Sequence, residues 1–373
     1  MNPPQNVIEL LQALIRIPSV NPDGNPGTEQ VGEKACAEFV GTFLETCGAK
    51  IEYQDVLPGR PNVIGRFTSG HPGKPRLIFA PHTDTVSVAG MTVDPFAGEL
   101  RDGKIFGRGA SDTKGPMAAM LWALRELRDA IPSLPYEIWF AGLMGEEAGQ
   151  NGSKAFARDY ASAGGTPAFA LVGEPTECDI VHAHKGCIWL TLRARGLAVH
   201  ASTPDRGENA IYKMTDTIRI LREEFLPAFA QLSDPVLGSP TLSVGTISGG
   251  SKTNIVPDFC DAAVDIRTIP AQDSQRLVDE ISARLTGIEI AVRQSLPLHT
   301  DPAHPLIAAL EKAGGKKAGA PWFCDAAVLA AAGIPSVAAG PGSIAQAHTK
   351  DEWISVRDLE GGVEFYRRFL QSF

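Results

Sequence analysis

Two adjacent glutamates, Glu146 and Glu147, close an apolar run, Tyr136–Met144, that has the composition of a buried strand. A second apolar run, Leu77–Ala80, ends in Pro81-His82-Thr83-Asp84. Carboxylates and imidazoles gathered at strand ends serve metal binding or proton transfer, and Asp112, Glu174, His200 and His348 are further candidates of that kind. A cocatalytic dinuclear zinc site takes about five protein ligands of mixed His and carboxylate type and keeps a position for water. His82, Asp112, Glu147, Glu174 and His348 supply such a set. Each follows an expected strand or lies in a glycine-rich turn, and open α/β sheets present their sites outside the carboxyl ends of the strands. Asp84, two residues after His82, is spaced to accept the second ring N–H of that histidine. Glu146, beside Glu147, is expected to face the water, first as general base and then as general acid.

Taken singly, every one of these residues has a plainer reading. A Glu-Glu pair is ordinarily solvated surface. Asp84 or Asp112 could simply cap a helix. Glu174 precedes Pro175 and could be a turn, and His348 could be a satisfied loop histidine. What argues for chemistry is the joint pattern, in which chain order and strand-end placement agree.

The elements that must position these side chains alternate. Helices are expected over Val7–Ile17, Thr28–Cys47, Ser111–Arg128 and residues 153–163, with strands at Asn62–Phe67, Arg76–Ala80, Tyr136–Met144 and Ala168–Val172. Alternating strands and helices imply a mostly parallel sheet in an α/β layer. The pattern changes after Glu174. Ile188–Ala194, Thr241–Ile247, Cys260–Ile266 and Ile288–Arg293 alternate apolar and polar residues, around helices at Asn209–Phe229 and Asp273–Leu285. Helices at His304–Ala313 and Ala326–Ala332 and a strand at Ser336–Ala339 then resume the first pattern. The reading is a catalytic domain over residues 1–181 and 293–373 with a small α+β domain, residues 182–292, inserted into it.

Composition narrows the function classes. A chain of 373 residues suggests about two domains. At 43% hydrophobic and 21% charged it has the make-up of a soluble globular protein. The net charge of −9 and the lack of a basic stripe with interleaved aromatics argue against nucleic acid as partner. No apolar run approaches the roughly 20 residues a membrane span needs, and no secretory signal pattern is visible. The six cysteines form no CxxC pair, which argues against a disulfide framework and fits a reducing cytoplasm.

The motifs, taken in order, resemble those of the dinuclear zinc amidohydrolases that include acetylornithine deacetylase, succinyl-diaminopimelate desuccinylase, aminoacylase and glutamate carboxypeptidase. The matching segments are Pro81-His-Thr-Asp-Thr-Val86, Gly107-Arg-Gly-Ala-Ser-Asp-Thr-Lys-Gly115, Met144-Gly-Glu-Glu-Ala-Gly149 and Val172-Gly-Glu-Pro-Thr176. They continue through Ala198-Val-His-Ala-Ser202, Thr253-Asn-Ile-Val-Pro257, Asp265-Ile-Arg267 and Ala347-His-Thr-Lys-Asp-Glu352, over nearly the whole chain.

The resemblance implies two zinc ions, replaceable by cobalt or manganese, on His82, Asp112 as the bridge, Glu147, Glu174 and His348, with Glu146 as base. It implies a ferredoxin-like inserted domain that acts as lid and pairs the chain into a homodimer. It implies that His200 reaches the partner's site to stabilise the oxyanion, and that Arg267 and Asn254 hold the substrate carboxylate. The implied substrate is an N-acyl amino acid or short peptide. Val181–Gly186 and Gly340–His348 look most like the acetylornithine deacetylases of this family, whereas Cys324-Asp-Ala-Ala327 departs from the Thr-Glu-Ala-Pro pattern associated with them. The desuccinylase and glutamate-type carboxypeptidase or dipeptidase activities are the alternatives on the same site.

Overall fold

The computed structural model describes residues 3–67, 73–162 and 166–373. The chain folds as two units. One comprises Met1–His182, Thr300–Ala318 and Cys324–Phe373; the other comprises Ala183–His299 and Gly319–Phe323.

The first unit is built on a mixed sheet. Its strands run Lys50–Leu57, Arg60–Phe67, Glu137–Gly142, Arg76–Phe79, Ala168–Val172, Ser336–Ala338 and Ile180–His184. The four from Glu137–Gly142 to Ser336–Ala338 are mutually parallel, and antiparallel strands flank them. Side chains alternate between the two faces. Leu77, Phe79, Ile138, Phe140, Phe169, Leu171 and Val337 enter a core shared with helices Val7–Ile15, Lys34–Thr46, Lys114–Glu126, Pro305–Ala313 and Val356–Gln371. On the opposite face Trp139 meets Tyr160 of helix Asn151–Ser162 edge to face, with ring centroids 5.8 Å apart. Buried on both faces, the middle strands are apolar runs without alternation, as parallel strands must be. Their carboxyl ends open at one edge, and the chain leaves that edge as the segments containing His82, Glu146–Glu147 and Glu174.

The second unit follows the order strand, helix, strand, strand, helix, strand. Its sheet runs Thr241–Gly249, Phe259–Thr268, Gly186–Arg195, Ile288–Ser295, all antiparallel, which is the ferredoxin-like arrangement. Ile188, Leu190, Leu192, Val264 and Ile266 pack on Met214, Leu221, Leu277 and Ile281 of the helices. The alternate positions, such as Trp189 and Arg193, face away from that core.

Several expected elements shift. The helix expected from Thr28 begins at Lys34, because Gly32 has φ +92°, which a right-handed helix cannot include. The helix expected over Asn209–Phe229 runs as Ala210–Ile220, a wide π turn at Leu221–Phe225 and Leu226–Ala230, where Pro227 lacks the N–H that a continuous helix needs. Helix Lys114–Glu126 starts three residues late, because the Glu352 carboxylate holds the N–H groups of Gly109, Ser111 and Asp112. Residue 163, at the end of the helix expected over 153–163, lies outside the described residues. Strand Lys50–Leu57, helix Val356–Gln371 and the small sheet Glu99–Arg101, Lys104–Phe106 and Trp353–Ser355 were not expected.

Candidate metal centre

The strand-end segments bring six sequence-predicted residues of the first unit together. Potential ligand atoms of His82, Asp112 and Glu174 lie within 4.8 Å of one another, as do those of His82, Glu146 and Glu147, and those of Asp112, Glu147 and His348. Asp112 stands at the middle. Its Oδ1 is 3.1 Å from His82 Nε2 and its Oδ2 is 3.2 Å from His348 Nε2. His348 Nε2 is also 3.2 Å from Glu147 Oε2.

Asp84 does more than its spacing suggested. His82 Nδ1 is 3.0 Å from the Asp84 carbonyl oxygen and 3.4 Å from Asp84 Oδ1, so backbone and side chain share that contact. The same carboxylate accepts the backbone N–H groups of Glu146 at 3.0 Å and Glu147 at 3.2 Å. It also accepts Asn21 Nδ2 at 2.8 Å. One buried aspartate therefore orients His82 and fixes the turn that carries both glutamates. Asn62 holds that turn from outside: its Oδ1 accepts the Met144 N–H at 2.9 Å and its Nδ2 donates to the Gly152 carbonyl at 2.9 Å. Asp325 accepts Ser153 Oγ at 2.5 Å and Gln150 Nε2 at 3.4 Å. Sequence reading missed Asn21, Asn62 and Asp325 in these roles. Asn21 and Asp84 are 63 residues apart, and no local spacing connects them.

The electrostatics are those of a cluster with too many carboxylates for its space. Burial pushes Glu146 and Glu174 well above the ordinary carboxylate range, and the neighbouring acids add to it. Glu147 is raised by burial and by Asp112. Burial works to lower His82, but hydrogen bonding to Asp112 and Asp84 outweighs it and holds the imidazole well above its usual value. Asp112 is depressed, its burial more than offset by His348 and His82. Hydrogen bonds to Asp112 and Glu147 push His348 up to about 10. Glu147 Oε1 and Glu174 Oε1 are buried with no hydrogen-bond partner among the described residues. Buried acceptors without donors, facing histidines and a shared aspartate, fit cations. The donor set of carboxylate oxygens and imidazole nitrogens suits zinc, and cobalt or manganese as well.

The His348 shift has a consequence for the metal-free protein. A group whose folded pKa is raised contributes stability that is complete below its ordinary value and lost as pH climbs through the folded one. For His348 that window runs from 6.5 to about 10. Solvent reaches its half-exposed side chain and screens part of the effect. In chelator, wild type should exceed His348→Ala in melting temperature near the low end of the window. The difference should shrink towards the high end. A difference that stays constant with pH would disprove the coupling to Asp112 and Glu147.

The remaining predicted residues lie in the second unit. His200 is exposed and bridges to Ile255, while the Ala201 N–H donates to the Asn254 carbonyl at 3.0 Å. Arg267 donates Nε and Nη2 to Asp265 at 2.9 and 3.0 Å and lies 5.9 Å above the Phe323 ring.

Comparison with known proteins defines the class. Residues 78–372 match the model of peptidase family M20/M25/M40. The chain is 32% identical over 382 residues to the acetylornithine deacetylase of Proteus mirabilis, covering 98% of this chain and 96% of that one. An M20 family metallo-carboxypeptidase from Sulfolobus solfataricus shares its fold with a TM-score of 0.79 at 18% identity, covering 99% of both chains. A dinuclear metal binding M20 peptidase from Bacillus subtilis does so with a TM-score of 0.64 at 17% identity, covering 98% of this chain and 96% of that one. The chain belongs to peptidase family M20/M25/M40 and is a metal-dependent hydrolase. No helix among the described residues is long and apolar enough to cross a membrane.

Proposed function

We propose that this enzyme hydrolyses the amide bond of an N-acyl amino acid, as acetylornithine deacetylases do, with Glu146 as general base. The observation that carries the reading is the placement of Asp112, whose two oxygens face two different histidines, with Glu146 beside the set. His82, Asp112, Glu147, Glu174 and His348 would hold two zinc ions. Zinc bound there supplies a Lewis acid that polarises the scissile carbonyl and lowers the pKa of water towards ~7.

The chain's own groups do the rest. Glu146 takes the proton of the attacking water and then gives it to the leaving amine. In the metal-free protein burial holds its carboxyl above the ordinary carboxylate range. His200 stabilises the oxyanion, and Arg267 with Asn254 holds the free carboxylate of the substrate. The second unit serves as lid and pairs with its counterpart in a homodimer, and the catalytic unit is the remainder of the chain. The overall likeness to the Proteus mirabilis deacetylase favours the deacylase reading over a carboxypeptidase or dipeptidase. A hydrolysis panel of N-acetylornithine, N-succinyl-diaminopimelate and C-terminal glutamyl amides, with metal content measured alongside, tests it. Turnover confined to the glutamyl amides would refute it.

Arg267 gives a sharper test. Asp265 occupies Nε and Nη2, which leaves Nη1 for a substrate carboxylate. A hydrogen bond to a charged group is worth about 1.5–3 kcal/mol. Arg267→Ala should therefore raise KM about tenfold to a hundredfold, with zinc content unchanged. An unaltered KM would leave Arg267 as a partner of Asp265 and Phe323 only.

A further inference from the structure

Glu352 is fully buried and lies four residues beyond His348. Its carboxylate collects four donors. Oε1 accepts the backbone N–H groups of Ser111 at 2.8 Å and Asp112 at 2.9 Å. Oε2 accepts the Gly109 N–H at 3.0 Å and Arg108 Nη1 at 2.8 Å. The Glu352 carbonyl in turn accepts the Gly107 N–H at 3.0 Å. Arg108, itself buried, donates Nε to the Ser87 carbonyl at 3.1 Å, three residues past Asp84. Three segments thus meet on one ion pair. One follows His82, one ends at Asp112, and one begins at His348.

The N–H groups of Gly109, Ser111 and Asp112 converge on the two oxygens of one carboxylate, so this loop forms a concavity for an anion that the protein fills with its own side chain. An apolar replacement would leave those buried donors without acceptors. Each oxygen has two donors, so the carboxylate is saturated and cannot itself turn to a metal. Its influence on the site runs through the Asp112 main chain.

We propose that Glu352 is a positioning residue for the metal centre: its carboxylate clamps the Gly109–Asp112 backbone so that Asp112 presents one oxygen to each histidine. The proposal rests on the reading that His82, Asp112 and His348 hold metal. Arg108 neutralises the clamp and extends it to the segment after His82.

The test is zinc titration of the metal-free protein against a competing chelator, with thermal melts of the same samples. Glu352→Gln keeps the shape but turns an amide N–H₂ towards donors. At least one of the two zinc equivalents should bind about 10–100-fold more weakly, as when groups that orient ligands are changed. Glu352→Asp keeps the charge opposite Arg108 but draws it back, and should show a smaller loss. It also serves if the glutamine variant does not fold. A folded variant that melts lower yet binds both equivalents as tightly as wild type would overturn the proposal and leave Glu352 a purely structural buried charge. Asp112→Ala is the control for the underlying reading. If it too binds both equivalents normally, the ligand assignment fails, whereas loss there with retention in both Glu352 variants refutes the clamp alone.

Discussion

Glu146→Gln is expected to keep both metals and to lose turnover by about 10²–10⁴-fold, the usual cost of removing a general base. Two features separate Glu146 from its neighbour. Glu147 Oε2 lies 3.2 Å from His348 Nε2, within the group centred on Asp112, and its Oε1 has no donor among the described residues. Glu146 joins only the group with His82 and Glu147. Both backbone N–H groups are fixed on Asp84, so the two side chains leave one rigid turn at adjacent positions and cannot exchange roles without breaking it. Gln at 146 keeps volume and burial but cannot carry a proton between water and amine. Metal content by elemental analysis and kcat on the best acyl amino acid decide the matter together. Loss of one metal would make Glu146 a ligand. Two metals with near-normal kcat would remove it from the chemistry.

The parts of this centre that sequence exposes and hides differ for a physical reason. His82, Glu147 and Glu174 were legible because each follows a strand buried on both faces, and such strands write themselves as unbroken apolar runs. Their supports are not local. Glu352 reaches Asp112 across 240 residues, and Asn21 reaches Asp84 across 63. A lone asparagine or glutamate carries no periodicity that would mark such a partner. One glycine misled. Gly32 stops a helix that its neighbours' composition would extend towards Thr28. Gly361 and Gly362, by contrast, lie inside helix Val356–Gln371. A Cβ at Gly362 would lie 2.4 Å from Pro341 Cγ, so the glycine is what lets the helix pack on the segment leading to His348. A glycine in a helix costs about 1 kcal/mol against alanine, and tertiary packing offsets it here.

His200→Ala is expected to keep its zinc and lose about 10²–10³-fold in kcat, the effect of removing one oxyanion donor. The local geometry prepares the ring for that role. The Ser202 N–H donates to His200 Nδ1 at 3.2 Å, and Ser202 Oγ is 2.7 Å from the same atom. A neutral imidazole whose Nδ1 accepts must carry its proton on Nε2, which makes the exposed nitrogen a donor. His200 belongs to the second unit, and every proposed metal ligand belongs to the first. Delivery from a partner chain across a two-fold axis makes a distinct prediction. His200→Ala and Glu146→Gln, each inactive alone, should regain activity when mixed under conditions of subunit exchange. One site of the mixed dimer would then combine an intact Glu146 with the partner's intact histidine, while the other would lack both. Recovery of up to about half of the wild-type sites per heterodimer follows from that count. If heterodimers form, as native mass spectrometry would reveal, and the mixture stays as inactive as its parents, the histidine acts within its own chain.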